Sequence, residues 1–308
     1  MRVVFCLSKR NIWMYLRDYM SVFFSILSML IVLALMVIFL GNMNSENVMN
    51  ALAQFGGIRD TAADQKNVTY LIQMWTLAGI LEVNAVTITL TVMGIMVQDE
   101  IKGRLASFYM APIKRIQIAL GYILAAWIVG IIMCILTLVV GEIYMVFCGH
   151  SLLCKTDWIK LLLMITLNTG VYAAVSYLLA LFVRSESAWS SIFTIIGTLV
   201  GFLGAIYLPM SMLPEGVAKV LKCLPILHGA AMMRMVCTNE AIAEAFDGLP
   251  AIAGETFREQ MGVSIFIERE GTSTQISLQS QLLFLIICAI IAIVVSALVS
   301  KHHKLCDR

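Results

Sequence analysis

Charge is what this sequence has least of. Asp, Glu, Lys and Arg make up 13% of its 308 residues, against about 25% in a soluble globular chain. Proline is scarce as well: there are five, and four of them lie beyond residue 208, so most of the chain is open to long, unbroken helices. The sequence holds no G-x-x-x-x-G-K-[ST], which excludes a nucleotide cradled in a P-loop of its own. It also lacks H-E-x-x-H, C-x-x-C and G-x-S-x-G, which removes the common metal, redox and nucleophile motifs. Histidine is limited to His150, His228, His302 and His303. The last two are adjacent, cannot share a helix face, and read as part of a solvated basic tail. What is abundant is apolar surface: 60% of residues are hydrophobic and the mean hydropathy is +0.91. Together these values exclude a disordered chain, a disulfide scaffold and an ordinary cytosolic enzyme, and they indicate an all-α integral membrane protein. A net charge of +2 is too small to suggest nucleic acid as a partner.

A helix needs about 20 apolar residues to cross a bilayer core. Six stretches qualify, near 20–40, 76–97, 116–140, 161–183, 188–208 and 278–299, which predicts six transmembrane helices in a single domain over 1–308. Twelve of the 21 basic residues fall in the short segments 1–19, 98–115, 184–187 and 300–308. The longer segments 41–75, 141–160 and 209–277 hold the rest and most of the acids. The positive-inside rule then places both termini in the cytoplasm. The first apolar stretch is too long for a cleaved signal peptide, and no small-residue cleavage site follows it. The expected location is the plasma membrane, with several crossings.

Two acids fall in or near the spans, Glu82 and Glu142. An ionisable group at membrane depth suggests a substrate or ion role. Both lie near predicted outer ends, where the simpler reading is a residue at a cavity mouth that reaches water. Asn84, Thr87 and Thr91 share one face of the second span, and Thr169, Tyr172 and Ser176 share one of the fourth. Each stripe fits either a substrate path or helix packing with satisfied hydroxyls. Gly197, Gly201 and Ala205 form a small-x-x-x-small face that suits close helix approach. Cys148 with Cys154, and Cys223 with Cys237, are the sequence-local disulfide pairings, with free thiols as the alternative. The one sequon, Asn67-Val68-Thr69, is placed in an outer loop.

Two further segments are not spans. In residues 1–19, Arg10 and Arg17 share a face opposite Ile12, Leu16 and Tyr19, with Trp13 and Tyr15 at the border. This predicts an amphipathic helix lying in the inner headgroup region. The loop QDEIKGRLASFYMAPIKR, residues 98–115, opens with acids and reaches Pro112, which stops a helix. It predicts a short exposed helix over Asp99–Met110, a docking surface or a plain connector.

Asp99-Glu100 followed by Gly103, Leu105 and, nine residues after the glycine, Pro112 resembles an element in the permeases of type-two ATP-binding-cassette exporters. Arg104 stands where that family has Thr. A second stretch, YLPMSMLPEGVAKVLKCLPILHGAAMMR, resembles the family's element after its fifth span through Pro209, Ser211, Pro214, Pro225 and Arg234. Leu224 replaces a common Asn there. The resemblance extends to the whole chain: six spans, an amphipathic start and a long outer loop before the last span.

The resemblance implies a coupling surface for a separate ATPase at Asp99, Glu100, Lys102, Gly103, Arg104, Leu105, Phe108 and Pro112. It implies re-entrant outer helices within 209–277, with Pro209, Ser211, Pro214, Pro225 and Arg234 at an outer gate. It places Asn84, Thr87, Thr91, Thr194 and Thr198 beside the translocation path, to which Glu82 is added from its charge. The partners implied are two copies of an ATP-binding-cassette ATPase, a second permease copy and the lipid bilayer. The resemblance implies that this chain binds no cofactor of its own, ATP and Mg belonging to the ATPase. The neutral, hydroxylic stripes suit an amphipathic drug, peptide or lipid as exported substrate. The alternative is a secondary transporter or channel driven by an ion gradient, with Glu82 as its coupling acid.

Overall fold

The computed structural model describes residues 2–35, 48–49, 61–269 and 272–302. The end of the first predicted span (36–40), His303 and Cys306 lie outside them. The order is α1 (Arg2–Arg17), α2 (Tyr19–Leu35), α3 (Thr61–Ile101), α4 (Arg104–Met110), α5 (Arg115–Phe147), α6 (Lys155–Ala180) and α7 (Glu186–Leu203). A 3-10 turn (Met210–Met212) leads to α8 (Glu215–Leu221), α9 (Pro225–Cys237), α10 (Asn239–Ala245) and α11 (Ala251–Gln260). A hairpin of β1 (Phe266–Arg269) and β2 (Thr272–Gln275) precedes α12 (Leu278–His302). The hairpin is antiparallel, with Phe266 opposite Gln275. It is a small departure from an otherwise helical chain.

Five helices (α3, α5, α6, α7 and α12) are long and apolar enough to cross a membrane. The count is six if α8 and α9, bent by 85° at a short break, form one span. This is an all-α integral membrane protein. The axis is α3, which packs against α2, α5, α6, α7, α9 and α10. Some 78% of its spanning window is buried, against 17% for α7 and for α12. Those two helices therefore turn apolar side chains such as Ile195, Leu199, Ile290 and Ile291 outward, a face suited to lipid or to another apolar chain.

With 41 residues, α3 is about 60 Å long, twice a hydrocarbon core of about 30 Å. The second predicted span starts only at residue 76, and the residues before it include Asp64 and Lys66, which dilute the hydropathy. The helix continues because Val68, Tyr70, Leu71 and Ile72 bury their side chains and α10 packs alongside. Asn67 is thus helical rather than in a loop, and its amide donates to the Glu244 carbonyl.

Other expectations are revised too. The Gly197–Gly201–Ala205 face is not formed: α7 ends at Leu203, Ala205 has a left-handed φ of 50°, and Gly201 lies against the Tyr207 ring. Cys148, Cys154, Cys223 and Cys237 are free thiols. In α1 the two arginines take different roles. Leu7, Ser8, Asn11 and Tyr15 form the buried face, and Ser8 donates to the Gly121 carbonyl of α5 at 3.0 Å. Arg10 turns inward, while Arg17 lies 5.5 Å over the Trp13 ring. Phe5, Trp13 and Leu16 remain exposed.

Candidate functional site: a groove, a clamp and a stapled bend

A groove of about 800 Å³ lies between α2, α3 and α7. It gathers Asn84, Thr87 and Thr91 from α3 with Thr194 and Thr198 from α7, opposite Phe24 and Leu27 of α2. Five of the six residues expected beside a translocation path therefore share one surface. Each threonine hydroxyl donates to the carbonyl four residues earlier, which is how Thr satisfies itself in a helix. The Asn84 amide donates to Thr137 Oγ1 at 2.8 Å.

Glu82, the sixth, is elsewhere. It is fully buried, on the side of α3 that faces α6 and α9, so the cavity-mouth reading is corrected. The Tyr172 hydroxyl donates to its Oε1, and Oε2 has no partner among the described residues. Gly229 of α9 sits against this carboxyl: a Cβ there would lie 2.3 Å from Glu82 Oε1 and 2.7 Å from Asn168 Oδ1. Only a glycine lets α9 come this near. Glu142 is also buried, accepting from the Leu153 amide at 3.3 Å. Thr169, Tyr172 and Ser176 are all buried and serve packing, with Ser176 3.4 Å from Thr89.

The segment read as one helix over Asp99–Met110 is two. Asp99 and Glu100 close α3, Gly103 turns the chain with a left-handed φ of 70°, and α4 starts at Arg104. Glycine is the residue that takes such a helix-ending turn without strain. Asp99 is fully buried and cannot touch a partner protein. Arg10 grips it with two bonds of 2.7 and 2.9 Å. Tyr122 of α5 donates at 2.6 Å and Arg104 of α4 at 3.2 Å. The carboxylate holds the Arg10 guanidinium proton more firmly than usual. Arg10 also lies 5.2 Å over the Phe108 ring. One carboxylate thus clamps α1, α4 and α5 to the end of α3. Beside it, Glu100 pairs with Arg184 of the α6–α7 turn at 3.2 Å. These cations also offset two acids at a helix C-terminus, where the dipole disfavours them. Leu105 is buried and Phe108 half-buried, while Lys102, Gly103, Arg104, Ser107, Met110 and Pro112 stay accessible.

At the opposite end, each proline of the second motif begins or caps a short piece. Pro209 precedes the 3-10 turn that holds Ser211, Pro214 caps α8, and Pro225 opens α9. Arg234 in the last turn of α9 is fully buried. Its guanidinium donates to the carbonyls of Gly262, Gly204 and Ala205 at 3.2, 3.0 and 2.8 Å and lies 4.5 Å over Trp75. The Trp75 indole donates to the Met261 carbonyl at 2.8 Å. Arg234 staples the bent pair to the end of α7 and to the turn after α11.

Among the described residues one trio, Cys154, Asp157 and Glu240, brings metal-ligating atoms within 4.8 Å of one another. The Lys160 ammonium already holds Asp157 at 2.7 Å.

The model of the ABC-2 family transporter proteins matches residues 51–301. The chain belongs to this ABC-2 family. The match takes in everything from α3 through nearly all of α12, and leaves α1 and α2 outside it, less than the whole-chain likeness expected. No curated protein matches the chain. As an ABC-2 protein the chain is a multi-pass membrane permease subunit of an ABC transporter, a family whose members partner an ABC ATPase.

Proposed function

We propose that this ABC-2 permease exports an amphipathic substrate, such as a drug, peptide or lipid, along the α2–α3–α7 groove. Two permease copies pair, and two ATPase subunits dock from the cytoplasm, where both termini lie, against the accessible face of α4. The observation that carries the reading is the groove, which collects Asn84, Thr87, Thr91, Thr194 and Thr198 on one apolar, hydroxyl-lined surface. The Asp99 clamp supports the docking part. A push on α4 reaches α1, α3 and α5 through one buried carboxylate, which suits rigid-body coupling of ATPase closure to helix movement. The stapled α8–α9 bend is then the outer, re-entrant gate, since irregular backbone at membrane depth needs protein or water to satisfy it.

The test is co-purification from the native host in mild detergent, followed by ATP hydrolysis and vesicle transport assays. A stoichiometric P-loop ATPase is the expected companion. Ser107→Pro breaks the hydrogen bond of the fourth residue of α4 and is expected to abolish transport while leaving the folded bundle intact. Full transport by that variant rejects α4 as the docking helix. A lone chain with no ATPase, even after crosslinking through Lys102, favours the gradient-driven alternative.

A further inference from the structure

The groove continues towards the end of α3 that carries the Asp99 clamp. A second hollow of about 400 Å³ is lined by Tyr15, Gln98, Glu186 and Trp189 and shares Asp18, Ser21, Thr91 and Phe193 with the groove. From Asp18 to Ile31 the combined surface follows α2 for about 20 Å. Apolar side chains and hydroxyls line its length, and its charged lining residues lie at this mouth. The mouth carries two charged residues among those lining it, Asp18 and Glu186, both acidic. The basic residues nearest in sequence are not among its lining and are engaged elsewhere: Arg17 lies over Trp13 and Arg184 holds Glu100. Asp18 accepts both the amide and the hydroxyl of Ser21, at 3.2 and 2.6 Å. Those bonds keep its carboxyl below the usual range and therefore ionised near neutrality.

Five of the lining hydroxyls have the same polarity, while Asn84, Gln98 and Tyr207 can also donate. The hydroxyls of Ser25, Thr87, Thr91, Thr194 and Thr198 all donate to carbonyls of their own helices. Each has given away its one proton and offers only lone pairs to a guest. Two carboxylates and a row of acceptors complement a ligand that carries positive charge and hydrogen-bond donors, and they repel an anion.

We propose that the groove binds cationic amphipaths, with an ammonium or guanidinium head between Asp18 and Glu186 and the apolar body along α2 and α3. This rests on the groove being the substrate path. It narrows the substrate class by charge and gives the two acids a recognition role. Asp18 also caps α2, and asparagine caps a helix as well as aspartate does, so Asp18→Asn removes charge while keeping the cap.

The experiment uses the full chain in nanodiscs of zwitterionic lipid. The probes are a brominated alkyl-trimethylammonium and the matched brominated alkyl-sulfonate, read by quenching of Trp189, with Trp189→Phe as the blank. The ammonium is expected to quench saturably and the sulfonate to bind at least fivefold more weakly. Asp18→Asn with Glu186→Gln, both at exposed positions, is expected to weaken the ammonium by roughly fivefold. The same pair is expected to leave the sulfonate unchanged or improved, and raised salt to shrink the difference. Equal affinity for both probes, unchanged in the double variant, overturns the charge preference and leaves the groove standing as a path. No Trp189-specific quenching by either probe overturns the groove reading itself, and this inference with it.

Discussion

Replacing Asp99 by asparagine tests the clamp most directly. The substitution keeps shape and volume but removes the charge that receives two bonds from Arg10, one from Tyr122 and one from Arg104. Removing one partner of a buried ion pair costs about 3–5 kcal/mol. Here the carboxylate is fully buried, while the side chains of Arg10 and Arg104 keep 29% and 49% of their surface and can rehydrate. The expected loss is therefore at the low end, about 3 kcal/mol, or roughly 5 °C in the unfolding midpoint.

The loss has a location. Hydrogen exchange across Leu7–Tyr15 is expected to rise, because α1 loses the Arg10 grip and is left with the Ser8 and Tyr15 bonds and its packing. A cycle combining Arg10→Gln with Asp99→Asn isolates the pair, with an expected coupling of about 2 kcal/mol. Glu100→Gln is the control. Its partner Arg184 is half-exposed, so about 1 kcal/mol or less is at stake. An Asp99→Asn chain with unchanged midpoint and unchanged protection of α1 refutes the clamp, and with it the route from α4 to the bundle.

The remaining predictions concern the part of the bundle away from the clamp. Gly229→Ala places a methyl against the Glu82 carboxyl; a loss of about 1–3 kcal/mol is expected, relieved in part by adding Glu82→Ala, and a neutral single variant in thermal unfolding contradicts the packing. Glu82→Gln keeps an acceptor for Tyr172 and adds donors beside an unpartnered oxygen site, so stability within about 1 kcal/mol of the parent is expected; abolished transport at unchanged stability would instead assign Glu82 an ion or proton role. Arg234→Lys cannot reach three diverging carbonyls with a single ammonium, and a loss of about 3 kcal/mol is expected, seen as faster proteolysis in 205–262; an unchanged pattern refutes the staple.

How much of this was legible beforehand depended on how local the signal was. Apolar runs located the cores of α5, α6 and α12, because hydropathy needs only neighbours along the chain. It missed the first four turns of α3, whose helix is sustained by burial against α10 rather than by lipid. The acids before Gly103 suggest the first turn of a helix, yet they close one, because Gly103 turns the chain with a left-handed φ. The fate of Asp99 and Glu82 could not be read at all. Nothing within ten residues of Asp99 except Arg104 holds its carboxylate; Arg10 and Tyr122 arrive from other helices. Glu82 is closed off by Tyr172 and Gly229, 90 and 147 positions away. The threonine stripes are the opposite case. Spacing puts Asn84, Thr87 and Thr91 on one face, the family resemblance alone adds Thr194 and Thr198, and a helical threonine returns its proton to its own backbone. That such hydroxyls turn lone pairs to a guest follows from this habit, but that α2, α3 and α7 gather them in one groove is visible only in the structure.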